Sequence, residues 1–273
     1  MECVDCGERV PMDMGQLSAV ERRSMIAQMV LEKGEVLVRD LVDQFQVTRV
    51  SIRRDLALLE SNGRLRRVHG GAVAVAGNSR TDSFSEKMRL HIQAKERIGK
   101  AAAEMICPHD VVLLDSGTTT LQIVKQMPAE RCLTGLVTLV TNSLPIAQEV
   151  LSWPSPNLVV LGGIYVPDYQ ATVGPQTIKQ LKELTADRVF LGADGLTVRG
   201  GVTTANILMA EVDSLMVERS RQAVLVADSS KLGRSGFVPV KPLSAFHTII
   251  TDTGAPADIV AAIRAEGVEV LLV

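Results

Sequence analysis

Residues 47–71 read Val47-Thr-Arg-Val-Ser-Ile-Arg-Arg-Asp-Leu-Ala-Leu-Leu-Glu-Ser-Asn-Gly-Arg-Leu-Arg-Arg-Val-His-Gly-Gly71. Thr48 is a good N-cap, and the helix that follows it stops at Asn62-Gly63. At about 100° per residue, Ile52, Leu56 and Leu59 fall within about 60° of one another and form a buried stripe. Val50, Ala57, Arg53 and Arg54 take the opposite side, with Arg49 on its flank. Beyond the helix, the pair Gly70-Gly71 permits a tight hairpin with Arg66, Arg67 and His69 on its strands or tip. A short helix that buries aliphatics and points arginines outward suits the major groove, where arginine reads guanine edges or grips phosphate. The whole reads as a winged helix-turn-helix. The predicted DNA contacts are Thr48, Arg49, Val50, Ser51, Arg53, Arg54, Arg66, Arg67 and His69.

Upstream, the pattern gives a helix over Val20 to Glu32, with Met25, Ile26, Met29 and Val30 on one face, ended by Gly34. A second helix covers Val38 to Phe45, with Leu41 and Val42 inward, and turns at Gln46-Val47. No convincing strand is read in this block before the hairpin. The chain's formal charge is -2, which alone argues against nucleic acid. Residues 48–72, however, carry a net +4. A run of arginines is usually a solvated face. Here it coincides with the outer face of the third helix and a glycine-hinged wing, which favours DNA. Aromatic residues are 3% of the chain, so base stacking on single strands is excluded.

The motif Val47 to Leu56, followed by Leu59-Glu-Ser-Asn-Gly63 and Val68-His-Gly-Gly-Ala72, resembles the DNA-binding domain of DeoR-type bacterial transcriptional repressors. That resemblance implies that the helix with Arg53 and Arg54 is the recognition helix and that the wing meets the DNA backbone. Thr48 stands where the family usually has Ser, a change that keeps the cap.

The full 273 residues allow one large domain or two. Hydrophobic residues at 46% and charged residues at 22% exclude general disorder. Texture changes near residue 75, at a Gly/Ser/Asn-rich stretch over 76–85. The expected division is a tail over 1–19, the winged helix-turn-helix over 20–73, a linker over 74–94 and an α/β sensor over 95–273. No apolar run approaches a membrane span, and the N-terminus lacks a signal peptide, so a cytoplasmic protein with no membrane partner is expected. Cys3-x-x-Cys6 is half of a zinc knuckle with no second pair, so no metal is expected. Cys107 reads as apolar in setting, and Cys132 as a loop residue.

The C-terminal block shows apolar strands over 111–115, 136–141, 157–162, 188–193, 223–228 and 247–251. Helical patterns over 119–126, 143–151, 175–184, 206–220 and 256–265 alternate with most of them. That implies a mainly parallel sheet covered on both faces, with ligands at the carboxyl ends of its strands. Polar clusters stand at those ends. Asp115-Ser-Gly-Thr-Thr-Thr120 opens a helix and offers an anion cradle of N–H groups and hydroxyls. It is not a Walker loop, because no Gly-Lys-Ser/Thr follows. Thr141-Asn-Ser143, Gly162-Gly163, Gly192-Ala-Asp-Gly195 and Asp228-Ser-Ser-Lys231 end other strands. Such a pocket suits a polyol with a phosphate.

Lys95-Glu-Arg-Ile-Gly-Lys-Ala-Ala and these strand-end motifs resemble the DeoR sensor domain, similar in fold to ribose-5-phosphate isomerase and coenzyme A transferases. The resemblance implies that the Ser116–Thr120 loop holds the effector phosphate, helped by Lys95, and that Asp194, Glu211 and Lys231 face the sugar. The full candidate set is Lys95, Asp115, Ser116, Gly117, Thr118, Thr119, Thr120, Asn142, Gly162, Gly163, Asp194, Glu211 and Lys231. The alternative is an isomerase-like enzyme using Asp194, Glu211 and Lys231 for acid/base work. Against it, the isomerase motif Asp-Gly-Ala-Asp-Glu is here Leu191-Gly-Ala-Asp-Gly195, lacking two acids. The expected protein has no catalytic residue and no cofactor. It is a repressor of a sugar-metabolism operon, released by a phosphorylated sugar, and a homo-oligomer (dimer or tetramer) on operator DNA. The ending Ala255 to Leu271 resembles amino-sugar (N-acetylgalactosamine-type) regulators. The helix over 206–220, with Ile207, Leu208, Val212, Leu215 and Met216 in one stripe, is read as core.

Overall fold

The computed structural model describes residues 18–33, 35–61, 65–68, 70–73 and 84–273. The chain divides into two compact units, Met1–Ser79 and Arg80–Val273.

In the first unit, α1 (Ala19–Lys33), β1 (Glu35–Leu37), α2 (Val38–Phe45) and α3 (Arg49–Ser61) precede a hairpin of β2 (Arg66–Val68) and β3 (Gly71–Val73). Thr48 caps α3, its hydroxyl accepting from the Ser51 N–H at 3.2 Å. The left-handed Gln46 ends α2 and turns the chain into it. Ile26, Val30, Leu41, Phe45, Ile52, Leu56 and Leu59 form one buried core. The structure adds a strand that the residue pattern hides. β1 pairs antiparallel with β3, making a sheet of order β1-β3-β2. Three residues between helices carry too little alternation to be read as a strand. The pairing sets the wing glycines. Gly70 takes φ +85°, and a Cβ on Gly71 would lie 2.2 Å from the Val36 carbonyl oxygen. The predicted helix stops at Gly34 and at Asn62-Gly63 lie outside the described residues, as does His69.

Asp55 is buried on α3, where its carboxylate accepts from Arg22 Nε at 2.7 Å and Arg23 Nη1 at 3.4 Å. An acid counted in the charge of the basic strip is therefore absorbed by α1, and it fixes α3 to α1.

The second unit runs α4 (Phe84–Arg89), α5 (Ile92–Glu104), β4 (Val111–Leu114), α6 (Thr118–Lys125), α7 (Ala129–Thr134), β5 (Thr138–Thr141), α8 (Leu144–Val150) and β6 (Leu158–Val160). It continues through β7 (Ile164–Val166), β8 (Ala171–Val173), α9 (Pro175–Lys182), β9 (Ala186–Leu191), β10 (Gly195–Thr197), β11 (Gly201–Thr204), α10 (Ile207–Glu218) and β12 (Ser220–Val226). It ends with β13 (Val238–Lys241), β14 (Thr248–Thr251), α11 (Ala257–Ala265) and β15 (Glu269–Leu272). Seven strands form one parallel sheet, β15-β14-β12-β9-β4-β5-β6. Side chains alternate between two cores: Leu113, Val189 and Leu225 lie in one, and Val112, Phe190 and Val224 in the other. The order grows from β4 toward β6 and from β9 toward β15. The topological switch point therefore lies between β4 and β9.

Several short elements escaped the sequence reading. They are the antiparallel sets β7-β8 and β10-β11-β13, the edge strand β15, and helices α4, α5 and α7. Helices α4 and the start of α5 fall within the stretch read as linker. Cys132 lies in α7 rather than a loop, and Cys107 is exposed rather than in apolar surroundings. On α10, Ile207 and Leu208 are exposed, and the buried face runs Met209, Val212, Asp213, Met216. The stripe was misplaced by about a third of a turn, because Asn206 caps the helix and leaves its first two aliphatics at the open end. Among the described residues no helix is long and apolar enough to cross a membrane.

Asp55→Ala leaves two arginines beside an unfilled buried position, and we expect a loss of about 3 kcal/mol from the first unit. The only tryptophan, Trp153, lies in the second unit. In a urea titration of the full chain, the variant should lower the midpoint of the circular dichroism transition and leave that of tryptophan emission in place.

Candidate DNA-binding face and ligand cavity

The outer face of α3 carries Arg49, Val50, Arg53 and Arg54, all exposed, with Val50 at 76%. Among the described residues, no carboxylate lies within ion-pairing distance of those three arginines. Thr48 and Ser51 are occupied with the cap, their hydroxyl oxygens 3.0 Å apart. Arg67 is tied down. Its Nε donates to Glu60 at 2.7 Å and its N–H at 2.9 Å, so it joins the wing to α3 instead of standing free. These hydrogen bonds hold the Glu60 carboxyl below its ordinary range, the Arg67 N–H first. Arg66 lies in β2, and its side chain is outside the described set.

In the second unit, the loop after β4 and the loop after β9 splay apart at the switch point and open a cavity of about 160 Å³. Lys95, Asp115, Ser116, Gly117, Thr118, Thr119, Asp194 and Lys231 line it, all from the predicted set. The N-terminus of α6 has no side-chain cap, and its first N–H groups face no intrahelical acceptor. The hydroxyls of Ser116, Thr118 and Thr119 have no hydrogen-bond partner among the described residues. Donors and a helix dipole thus converge where an anion can sit.

Lys95 reaches this place because α5 packs against α6 at Gly99, one turn further on. A Cβ on Gly99 would lie 2.6 Å from the Gln122 side chain. Burial pulls the Lys95 ammonium down to about 8, partly countered by the Asp228 carboxylate. Its Nζ donates to the Lys87 carbonyl oxygen. Lys87 itself bonds Asp194 at 2.6 Å and stands 5.2 Å above the Tyr169 ring. Burial works to raise the Asp194 carboxyl. The Lys87 charge and hydrogen bond outweigh it, with help from the Ala205 N–H and the Thr204 hydroxyl, and hold it below its ordinary range. Asp115 is pushed up by burial, against hydrogen bonds from Thr120, the Gly117 N–H and the Gly192 N–H.

Five predicted residues lie outside the cavity. The Thr120 hydroxyl is turned inward onto Asp115. Asn142 is buried and its amide donates to the Thr172 carbonyl at 2.9 Å, which ties β8 to the end of β5. The Gly162 carbonyl accepts from Thr177 and Gln180, and a Cβ on Gly163 would lie 2.2 Å from the Thr177 hydroxyl. Gly163 thus serves close packing on α9, and Gly162 meets α9 through its carbonyl. Glu211 is exposed on the far side of α10, and Asp213, two residues on, lines the cavity instead. Lys87 and Arg234 also line it and were missed, as does Asp228, which was read as part of a strand-end cluster and not as a site residue. The signal for Asp213 was available: it stands at the i+4 position from Met209, inside the apolar stripe. Among the described residues, no group of three His, Cys, Asp or Glu could hold a metal.

Comparisons with known proteins bear on both units. Residues 22–77 match the model of the DeoR-like helix-turn-helix domain, and residues 90–253 match that of the DeoR C terminal sensor domain. A protein of Escherichia coli O157:H7, provisionally named an aga operon transcriptional repressor, is 35% identical over 93% of this chain and 93% of its own. The HTH-type transcriptional regulator GlpR of Haloferax volcanii is 35% identical over 92% of this chain and 96% of its own. A solved ribose-5-phosphate isomerase of Methanocaldococcus jannaschii covers 50% of this chain and 53% of its own, at 18% identity and a TM-score of 0.37. The helix-turn-helix with its exposed arginine face, the matches of both domain models and the two regulators at 35% identity agree: the chain belongs to the DeoR family of DNA-binding transcriptional regulators.

Proposed function

We propose that the protein is a repressor of a sugar-metabolism operon and that a phosphorylated sugar in the cavity releases it from operator DNA. The observation that carries the effector class is the composition of the cavity. Free hydroxyls and N–H groups at α6, with buried Lys95 beside them, suit a phosphate. The carboxyls of Asp194, Asp213 and Asp228 suit sugar hydroxyls. On the DNA side, Arg49, Arg53 and Arg54 read or grip the major groove and the wing meets the backbone. Arg67 serves by holding the wing to α3. A homo-oligomer places two such heads on a two-fold operator. An isomerase-like enzyme is disfavoured, because Glu211 lies outside the cavity and Leu191-Gly-Ala-Asp-Gly195 lacks two acids of the isomerase motif.

The coupling element is α4. It follows residues 74–83 in the chain, and Lys87 fastens it to the cavity through Asp194, through its carbonyl to Lys95, and over the Tyr169 ring. A ligand that accepts a hydrogen bond from Lys95 or donates one to Asp194 competes with these ties. Its differential affinity for the released state shifts the population toward the form that binds DNA less well.

Three outcomes are expected. With an operator selected from random-sequence DNA, Arg54→Ala weakens binding by about 1–3 kcal/mol in fluorescence anisotropy, and wild-type affinity falls linearly with log salt. A salt slope near zero contradicts the DNA contact. Lys95 is charged below about 8 and loses its proton above it, whereas a sugar phosphate keeps its second charge from about pH 6 upward. Calorimetric affinity for the sugar phosphate therefore drops from pH 7 to pH 9, and Lys95→Met binds weakly with no such drop. Lys87→Ala unfastens α4 and lowers ligand-free operator affinity by about tenfold. Unchanged affinity rules α4 out as the coupling element.

A further inference from the structure

The acids around the cavity are not alike. Asp115 accepts three hydrogen bonds, and Asp194 is engaged by Lys87, Thr204 and Ala205. Asp213 has none of this. Its side chain sits in the apolar face of α10, between Met209 and Met216, and is 6% exposed. Its Oδ1 has no hydrogen-bond partner among the described residues, and no cation there lies within ion-pairing distance. An unpartnered buried polar atom costs about 1–3 kcal/mol, and a charged one more. An apolar residue at this place in the stripe avoids that. The one thing the carboxyl gains at 213 is its place on the cavity wall.

We propose that Asp213 is a specificity-determining residue of the cavity, whose carboxyl O–H donates a hydrogen bond to an uncharged oxygen of the effector, a sugar hydroxyl or carbonyl. This rests on the cavity being the effector site. Burial pushes the Asp213 carboxyl well above its ordinary range, and the charges of Asp115 and Asp194 push it the same way. The other titratable groups that line the cavity are Lys87, Lys95, Lys231, Arg234, His91, Asp168 and Asp228, and of these Lys87 is paired with Asp194. A neutral acid donates where a carboxylate only accepts, so Asp213 tells a sugar oxygen from an ammonium group. The same hydrogen bond gives this side chain the partner it lacks, so a ligand without a matching acceptor leaves the side chain unpartnered and binds more weakly.

The test is calorimetry on the full chain with inorganic phosphate, ribose 5-phosphate, glucose 6-phosphate, fructose 6-phosphate and glucosamine 6-phosphate, followed by pH titration of the tightest binder. Asp213→Leu should lose about tenfold or more for the sugar phosphate and nothing for inorganic phosphate, while melting at the wild-type temperature or above. Asp213→Asn keeps a neutral donor and should bind within about threefold of wild type at pH 6. As pH rises through the raised value of the carboxyl, the wild type loses its donor and falls behind Asp213→Asn. Equal sugar-phosphate affinity in wild type and Asp213→Leu overturns the assignment and leaves the effector site standing. Preference for glucosamine 6-phosphate that strengthens with pH and vanishes in Asp213→Asn also overturns it, in favour of an ion pair. Failure of the wild type to bind any of the five overturns both.

Discussion

The carboxylate of Asp115 holds the switch point of the sheet in shape. One oxygen accepts from the Gly117 N–H at 2.8 Å and from the Thr120 hydroxyl. The other accepts from the Gly192 N–H at 2.7 Å, across the gap between β4 and β9. One buried group therefore ties the loop that starts α6 to the loop that carries Asp194. The fit round both glycines is tight. A Cβ on Gly117 would sit 3.0 Å from one carboxylate oxygen, and a Cβ on Gly192 3.2 Å from the other. Everything the cavity offers a ligand is arranged around this clamp, including the bare N–H groups of α6 and the free hydroxyls beside them.

The clamp also orders the roles of the neighbouring acids. Asp115 shapes, Asp194 fastens α4 through Lys87, and Asp213 is left with an unpaired oxygen on the cavity wall. Among the described residues, Lys87–Asp194 is the one ion pair on this wall. A ligand must therefore compete with existing ties or satisfy the atoms without partners. In the proposed mechanism the first route moves α4, and the second sets specificity. In the first unit a similar division holds. Asp55 and Glu60 hold the helix and wing by salt bridges, and Arg49, Arg53 and Arg54, without such partners among the described residues, face outward.

Much of this was legible in residues 47–71. The stripe Ile52, Leu56, Leu59, the Thr48 cap and the glycine hairpin are local signals, and local signals survive into the fold. So did the parallel sheet, because its buried strands read as Val/Leu runs between helices. What failed was whatever depends on a distant partner. Nothing in sequence shows that Asp55 meets Arg22, that Arg67 meets Glu60, or that Asn142 meets the Thr172 carbonyl. Strand ends looked alike as Gly/Ser/Thr/Asp clusters, yet only those flanking the switch point and the loop after β12 reach the cavity. The strand order that separates them comes from pairing alone. Glu211 was taken from the family resemblance, and the misplaced stripe on α10 hid that Asp213 is the acid facing inward.

The central claim is that the cavity and the DNA-reading head are thermodynamically coupled. Linkage requires the coupling to be reciprocal. The direct measurement is calorimetric affinity of the full chain for its tightest-binding sugar phosphate, with and without saturating operator DNA. The account predicts that operator weakens sugar-phosphate binding by the same factor as the sugar phosphate weakens operator binding. Equal sugar-phosphate affinity in the presence and absence of operator would contradict it.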